Sequence, residues 1–129
     1  MYLFEYATLR LVPRIEREEF VNTGVILYCR DQQFLQCRWQ LPETRLLALA
    51  GSTASTNLPL VELRARLRAI EHICAGGQGA GPIGQFGTAE RFRWLTAQRS
   101  TTLQASLVHP GLCTDPHLML EKLFSQLVQ

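Results

Sequence analysis

Apolar residues first come in short runs and alternations, and later recur every three or four positions; this change of period predicts the elements. Tyr2 to Val12 is rich in aromatic and branched side chains, with Glu5 and Arg10 its only charges, which predicts a strand covered on both faces. Pro13 has no amide proton to donate and ends it. A polar connection, long enough for one helical turn, leads to the apolar run Gly24 to Cys29, a central strand. After a short turn at Asp31-Gln32, Gln33 to Leu41 alternates cleanly, with Leu35, Cys37, Trp39 and Leu41 on one side and Gln36, Arg38 and Gln40 on the other.

From Pro42 the period lengthens. A short helical piece through Ala50 and a small-residue loop, Gly51 to Asn57, precede a helix from Leu58 to Ala75 that carries Leu60, Leu63, Leu67, Ile70 and Cys74 at helical spacing. Asn57 caps that helix, and Gly76-Gly77 stop it. The glycine-rich stretch Gly76 to Gly87 reads as a flexible linker, and Thr88 as the cap of a short helix bearing Phe92 and Leu95. Thr101 to His109 alternates again as a fourth strand, with Leu103, Ala105 and Leu107 on one face and His109 at its end before Pro110-Gly111. Asp115-Pro116 opens a final helix with a stripe of Leu120, Leu123, Phe124, Leu127 and Val128. The order predicts one α+β domain over residues 1–129: an antiparallel sheet of about four strands, an N-terminal three-stranded meander plus one later strand, with helices packed mainly on one face.

Composition narrows the function classes. The chain of 129 residues is 47% apolar and 19% charged, ample for a core and unlike a disordered chain. A net charge of +2 does not of itself imply a nucleic-acid partner. Twelve Arg stand against one Lys, a bias suited to bidentate anion recognition, but the arginines are spread along the chain, as codon usage would also spread them. Cys29, Cys37, Cys74 and Cys113 form no CxxC pair and each lies in an apolar run, so they read as free, buried thiols of a reducing cytoplasm. Without an apolar segment of membrane-spanning length or a basic leader, a soluble cytoplasmic protein with no membrane contact is expected.

Motifs are few. Gly79-Ala-Gly81-Pro-Ile-Gly84 is formally GxGxxG, but a helix precedes it and Pro82 removes an amide, so it does not predict a nucleotide site. Arg64, Arg66 and Arg68 form a stripe on one helix, with Glu62 and Glu71 placed to neutralise it. His72, His109 and His117 are scattered and give no metal site. His109 would serve as a general base only with a nucleophile such as Ser100, Thr101 or Ser106 nearby, and otherwise is a hydrogen-bonded loop histidine.

The densest chemistry runs from Arg10 to Leu27, where Arg10, Arg14 and Arg17 stand among Glu16, Glu18 and Glu19 before Asn22 and Gly24. Read structurally, these charges pair across a tight crossover while Gly24 supplies a bulge. Read functionally, the arginines hold phosphate and the carboxylates orient a water or a cation. The structural reading is preferred, because acid–base work needs separated pKa values.

Tyr6-x-x-x-Arg10-x-Val-Pro-Arg14, Arg17-Glu-Glu-Phe-Val-Asn-x-Gly-Val-Ile-Leu27, Arg91-Phe-x-Trp-Leu95 and the run from Arg99-Ser-Thr to Val108-His-Pro-Gly111 together resemble the bacterial family catalogued as Domain of Unknown Function 3037. Arg10, Pro13, Arg14, Arg17, Glu19, Asn22, Gly24 and Arg99 coincide with its pattern, and Thr23 stands where that pattern has an apolar residue. The resemblance implies a small, stand-alone cytosolic protein with no assigned activity or catalytic residues, and a companion or antitoxin-like role beside a HipA-like kinase. The expectation is therefore a non-enzymatic protein-interaction module without cofactor. The alternative is a phosphate- or nucleic-acid-ligand binding protein or enzyme using the Arg/Glu cluster. Candidate ligand or partner residues are Arg10, Arg14, Arg17, Glu19, Asn22, Arg99 and His109, and Arg99 beside the crossover would favour the second reading. Nonspecific nucleic-acid binding, with its steep salt dependence, is a third option.

Overall fold

A computed structural model describes residues 1–12, 19–44, 60–97 and 102–129. Five strands and three helices are resolved among them: β1 (Tyr2–Leu11), β2 (Val21–Cys29), β3 (Phe34–Trp39), α1 (Leu60–Ala75), α2 (Thr88–Leu95), β4 (Leu103–Ala105), β5 (His109–Cys113) and α3 (Pro116–Leu127). The sheet is antiparallel, and the expected meander β1–β2–β3 forms one side of it. The other edge of β1 is shared: β5 pairs its first half, Tyr2 to Tyr6, and β4 its second half, Leu9 to Leu11. The α+β architecture stands, with five strands.

β4 and β5 are one interrupted strand. Leu9 pairs with Ala105 and Tyr6 with His109, so Ser106, Leu107 and Val108 face only Ala7 and Thr8: one residue too many, a bulge. Ser106 closes the gap, because its Oγ accepts from Thr8 N at 2.9 Å and its own N donates to Thr8 O at 2.8 Å. The extra residue ends the alternation predicted to continue through Leu107, which is exposed. Past the bulge the strand resumes as His109–Cys113, so it does not end at His109. Proline is tolerated there because β5 is an edge strand and needs no amide on its open side. A Cβ on Gly111 would meet Phe4 Cζ at 2.4 Å; the glycine is the space in which that ring lies.

A second bulge interrupts β2, where Leu9 pairs with Gly24 but Arg10 with Asn22, leaving Thr23 as the extra residue. Thr23 is fully buried yet satisfied, its hydroxyl donating to Gln40 O. Gly24 sits beside the bulge for a different reason from the one expected. A Cβ there would come within 2.9 Å of Arg38 O and Trp39 Cβ, so glycine permits the close approach of β3.

Side chains of β1 and β2 alternate between two cores. Leu9, Ile26, Tyr28 and Leu35 meet Leu67, Ile73 and Cys74 of α1 and Phe92 and Leu95 of α2. Phe4, Val25, Leu27 and Cys29 meet Leu120 and Phe124 of α3 and Val128 at its C-cap. Two helices thus cover one face and α3 the other. Asp115 caps α3, accepting from His117 N at 2.9 Å, as its Asp-Pro start predicts. The N-cap of α2 differs from expectation, and that of α1 is not among the described residues. Asn57 lies outside the described residues, as does the predicted short helix beyond Glu43–Thr44, while Gly87 rather than Thr88 is the N-cap of α2. Gly76 and Gly77 stop α1 with φ of +76° and +89°.

The stretch expected as a flexible linker is two ordered 3-10 turns, Gln78–Ala80 and Pro82–Gln85. Arg91 holds it against α1. Its guanidinium donates to Ile73 O and Cys74 O at 2.7 Å each and to Phe86 O at 2.9 Å, satisfying carbonyls that the end of α1 leaves open. Arg91 is 8% exposed, a buried cation neutralised by the negative end of a helix.

Candidate functional site

The predicted cluster is placed in part. Arg10 and Asn22 are cross-strand partners at the end of the β1–β2 hairpin, on the α3 face. Asn22 Nδ2 donates to Leu127 O at 3.0 Å, tying the hairpin to the end of α3. The Arg10 guanidinium lies 4.2 Å over the ring of Phe20, and Glu19 beside it is exposed. Arg10 forms no ion pair with Glu19 among the described residues, so this pair does not brace the crossover. Thr8 Oγ1, Arg10 Nε and Asn22 Oδ1 are buried without hydrogen-bond partners among the described residues. Arg14, Arg17 and Arg99 lie outside the described residues, and with them the test of whether Arg99 joins the crossover.

His109 lies elsewhere. It pairs with Tyr6 at the start of β5, the two rings 5.3 Å apart, four residues along β1 from Arg10. Ser106 cannot act as its nucleophile, because the hydroxyl donates to Leu107 O and accepts from Thr8 N at the bulge. Ser100 and Thr101 lie outside the described residues.

The other motifs resolve as structure. In the GxGxxG stretch the amides of Gly77, Ala80 and Gly84 donate to the carbonyls of Gly84, Gly77 and Gly81, so they are turned into the loop and not toward a phosphate. On α1, Arg66 pairs with Glu62 at 2.8 Å and Arg64 with Glu43 at 3.1 Å, as a solvated helix face does. Cys37 and Cys74 line a cavity of about 360 Å³ together with Trp39 and Glu71. Burial pushes the Cys74 thiol up to about 12, with Arg91 opposing and Glu71 reinforcing the shift. Burial raises Cys37 as well, as do the charges of Cys74 and Glu71. Thiols held protonated in this way are poor nucleophiles.

One surface stands out that the hydrophobic pattern did not single out. The helices α1 and α2 lie over β2, β3 and the second half of β1, and leave the corner formed by the first half of β1 and β5 bare. There Leu3 and Leu112 face each other across the strands, 58% and 59% exposed, with the exposed Pro110 beside them. The adjoining cleft, about 490 Å³, is lined by Leu3, Glu5, Tyr28, Arg30, Asp31, Ala89 and Arg93. Its four charged groups form no ion pair with one another or with the other described residues. The one signal in the sequence was the strand reading of Tyr2 to Val12 as covered on both faces, which implied a cover for Leu3; none of the described elements supplies it.

The described residues contain no group of three His, Cys, Asp or Glu side chains able to hold a metal ion, and no helix long and apolar enough to cross a membrane. A family described as Protein of unknown function (DUF3037) matches residues 6–128. No curated protein and no solved structure matches the chain.

Proposed function

The chain belongs to the DUF3037 family, and for this member we propose a non-enzymatic role as a protein-interaction module in the bacterial cytoplasm. The observation that supports this reading is the bare sheet corner, where Leu3 and Leu112 pair across β1 and β5 with none of the described helices over them. An exposed apolar pair beside a concave, charged cleft is the composition of a recognition surface: apolar contact at its centre and polar groups at its rim. The opposite face of the same strands is sealed by α3, so the corner is not a general looseness of the sheet. A companion kinase-like protein is the heterologous partner to test first. Affinity-tagged chain recovered at endogenous levels should retain a stoichiometric partner, untagged chain included, and the Leu3→Glu/Leu112→Glu variant should lose it. Equal recovery by both, or no partner at all, overturns the proposal.

A second reading has its own observation. The Arg10 guanidinium has no carboxylate partner among the described residues, and its Nε is buried without an acceptor, which suits an anion such as a phosphate. Calorimetric titration with inorganic phosphate, pyrophosphate and a short RNA tests it. Binding that Arg10→Met abolishes supports it, and no heat with wild type ends it.

A further inference from the structure

We infer that the occupant of the bare corner is a second copy of this chain, packed face to face about a two-fold axis. The inference rests on the reading of that corner as an interaction surface and names its partner.

Three features lead there. First, the charges of the cleft balance: Arg30 and Arg93 against Glu5 and Asp31, none used internally among the described residues. Covering the cleft removes water from all four. A partner of a single sign, an acidic helix or a nucleic acid, would pair two of them and leave the other two desolvated beside a like charge. A second copy presents the same mixed set, so each guanidinium has opposing carboxylates to meet and each carboxylate opposing guanidinium groups. Self-complementarity of this kind is what an isologous two-fold interface requires.

Second, the apolar pair is itself self-matching. Leu3 and Leu112 sit directly opposite on neighbouring strands and project to the same side of the sheet. Two such surfaces rotated by a half-turn place the leucines of one against those of the other, the arrangement of two sheets packed through a thin apolar layer.

Third, β5 is an edge strand, but its edge is poorly suited to joining a second sheet by hydrogen bonds. Pro110 offers no amide, which leaves Leu112 as the only residue between His109 and Cys113 on that side with one to give. Extension of the sheet across the edge is blunted while its face is open, and that selects face-to-face packing.

Sedimentation velocity of the purified full chain over a wide concentration range tests the inference. Wild type should pass from the monomer mass to twice that mass as concentration rises. Leu3→Glu/Leu112→Glu should remain a monomer at every concentration while still unfolding cooperatively at a slightly lower thermal midpoint, since both side chains are more than half exposed and the two facing carboxylates repel each other. Arg93→Glu, which upsets the charge balance without touching the leucines, should raise the dissociation constant at least tenfold. Concentration-dependent protection from hydrogen exchange in residues 2–6 and 109–113 of wild type gives an independent readout that needs no variant. A wild type that stays monomeric, or a dimer untouched by the leucine substitutions, overturns the inference. If the monomer nevertheless captures a different stoichiometric protein through Leu3 and Leu112, the inference falls and the interaction-module reading survives. If neither self-association nor capture depends on those residues, both fall.

Discussion

The two halves of one sheet face treat the same kind of residue in opposite ways. Leu9 and Leu11, in the second half of β1, are buried under α1 and its neighbours; Leu3, on the same face of the same strand, is more than half exposed. Nothing in the side chain distinguishes them. The difference lies in where the helices return. α1 and α2 are linked by the two 3-10 turns and held by Arg91, and together they lie over β2, β3 and the bulged end of β1. The corner toward β5 is left uncovered. Burial is therefore a property of the connection between elements as much as of the apolar residue itself.

That contrast can be broken from its strongest point outward. Arg91→Ala removes three hydrogen bonds and leaves the carbonyls of Ile73, Cys74 and Phe86 open under Gly76, and should cost about 4 kcal/mol. Arg91→Lys should recover little, because one ammonium cannot span all three acceptors. Chemical denaturation measures both, and a loss below a third of that figure would show that the helix pair does not depend on this contact.

Leu67→Ala, in the fully buried stripe of α1, should cost about 3 kcal/mol by the same measurement through lost transfer energy and the cavity left behind. A smaller cost would mean that the sealed half can collapse around the gap.

The buried thiol of Cys74 provides a probe by pH. Below pH 9.0 the folded and unfolded chains both hold its proton. Between that value and about 12 the unfolded chain releases the proton and the folded chain retains it, so stability falls as pH rises. The slope from this group should be roughly 1 kcal/mol per pH unit. Cys74→Ala should flatten the alkaline dependence of the thermal midpoint without abolishing it, because the Cys37 thiol is raised too. An unchanged slope would place the thiol in contact with water.

Leu3→Ala should have the smallest effect, within about 0.5 kcal/mol for the monomer, since the side chain is already largely solvated. A large loss there would show that the corner is covered after all.

The candidate site was legible only in fragments. Arg10 and Asn22 were found because charged and amide side chains in an apolar strand are conspicuous, and the hairpin makes them partners. His109 stands apart from them because, after the bulge at Ser106 to Val108, the strand resumes at His109 opposite Tyr6, and no local signal distinguishes a bulge followed by an edge-strand proline from the end of a strand. Arg91 was read as one residue of a motif and not as a buried helix cap, although an arginine beside Phe92 in the apolar stripe of α2 is the pattern such a cap leaves. The Leu3, Glu5, Arg30, Asp31, Arg93 and Leu112 surface had no signal beyond the apolar character of Tyr2 to Val12, because its members come from four separate elements and turns.

The sequence by itself determined the elements whose information is local: the strands of the meander, from their apolar runs and alternation; the stripes of α1 and α3; the Asp115 cap; and the glycine stop of α1. Each depends on residues within a few positions of one another, where period and hydrogen-bonding chemistry suffice. Tertiary structure alone decided that β4 and β5 divide one edge of β1, that Arg91 closes the end of a distant helix, and that the apolar surface around Leu3 faces solvent. Those outcomes depend on contacts between residues far apart in the chain, and they are selected by which packing buries the most apolar area while leaving the fewest polar groups unpaired.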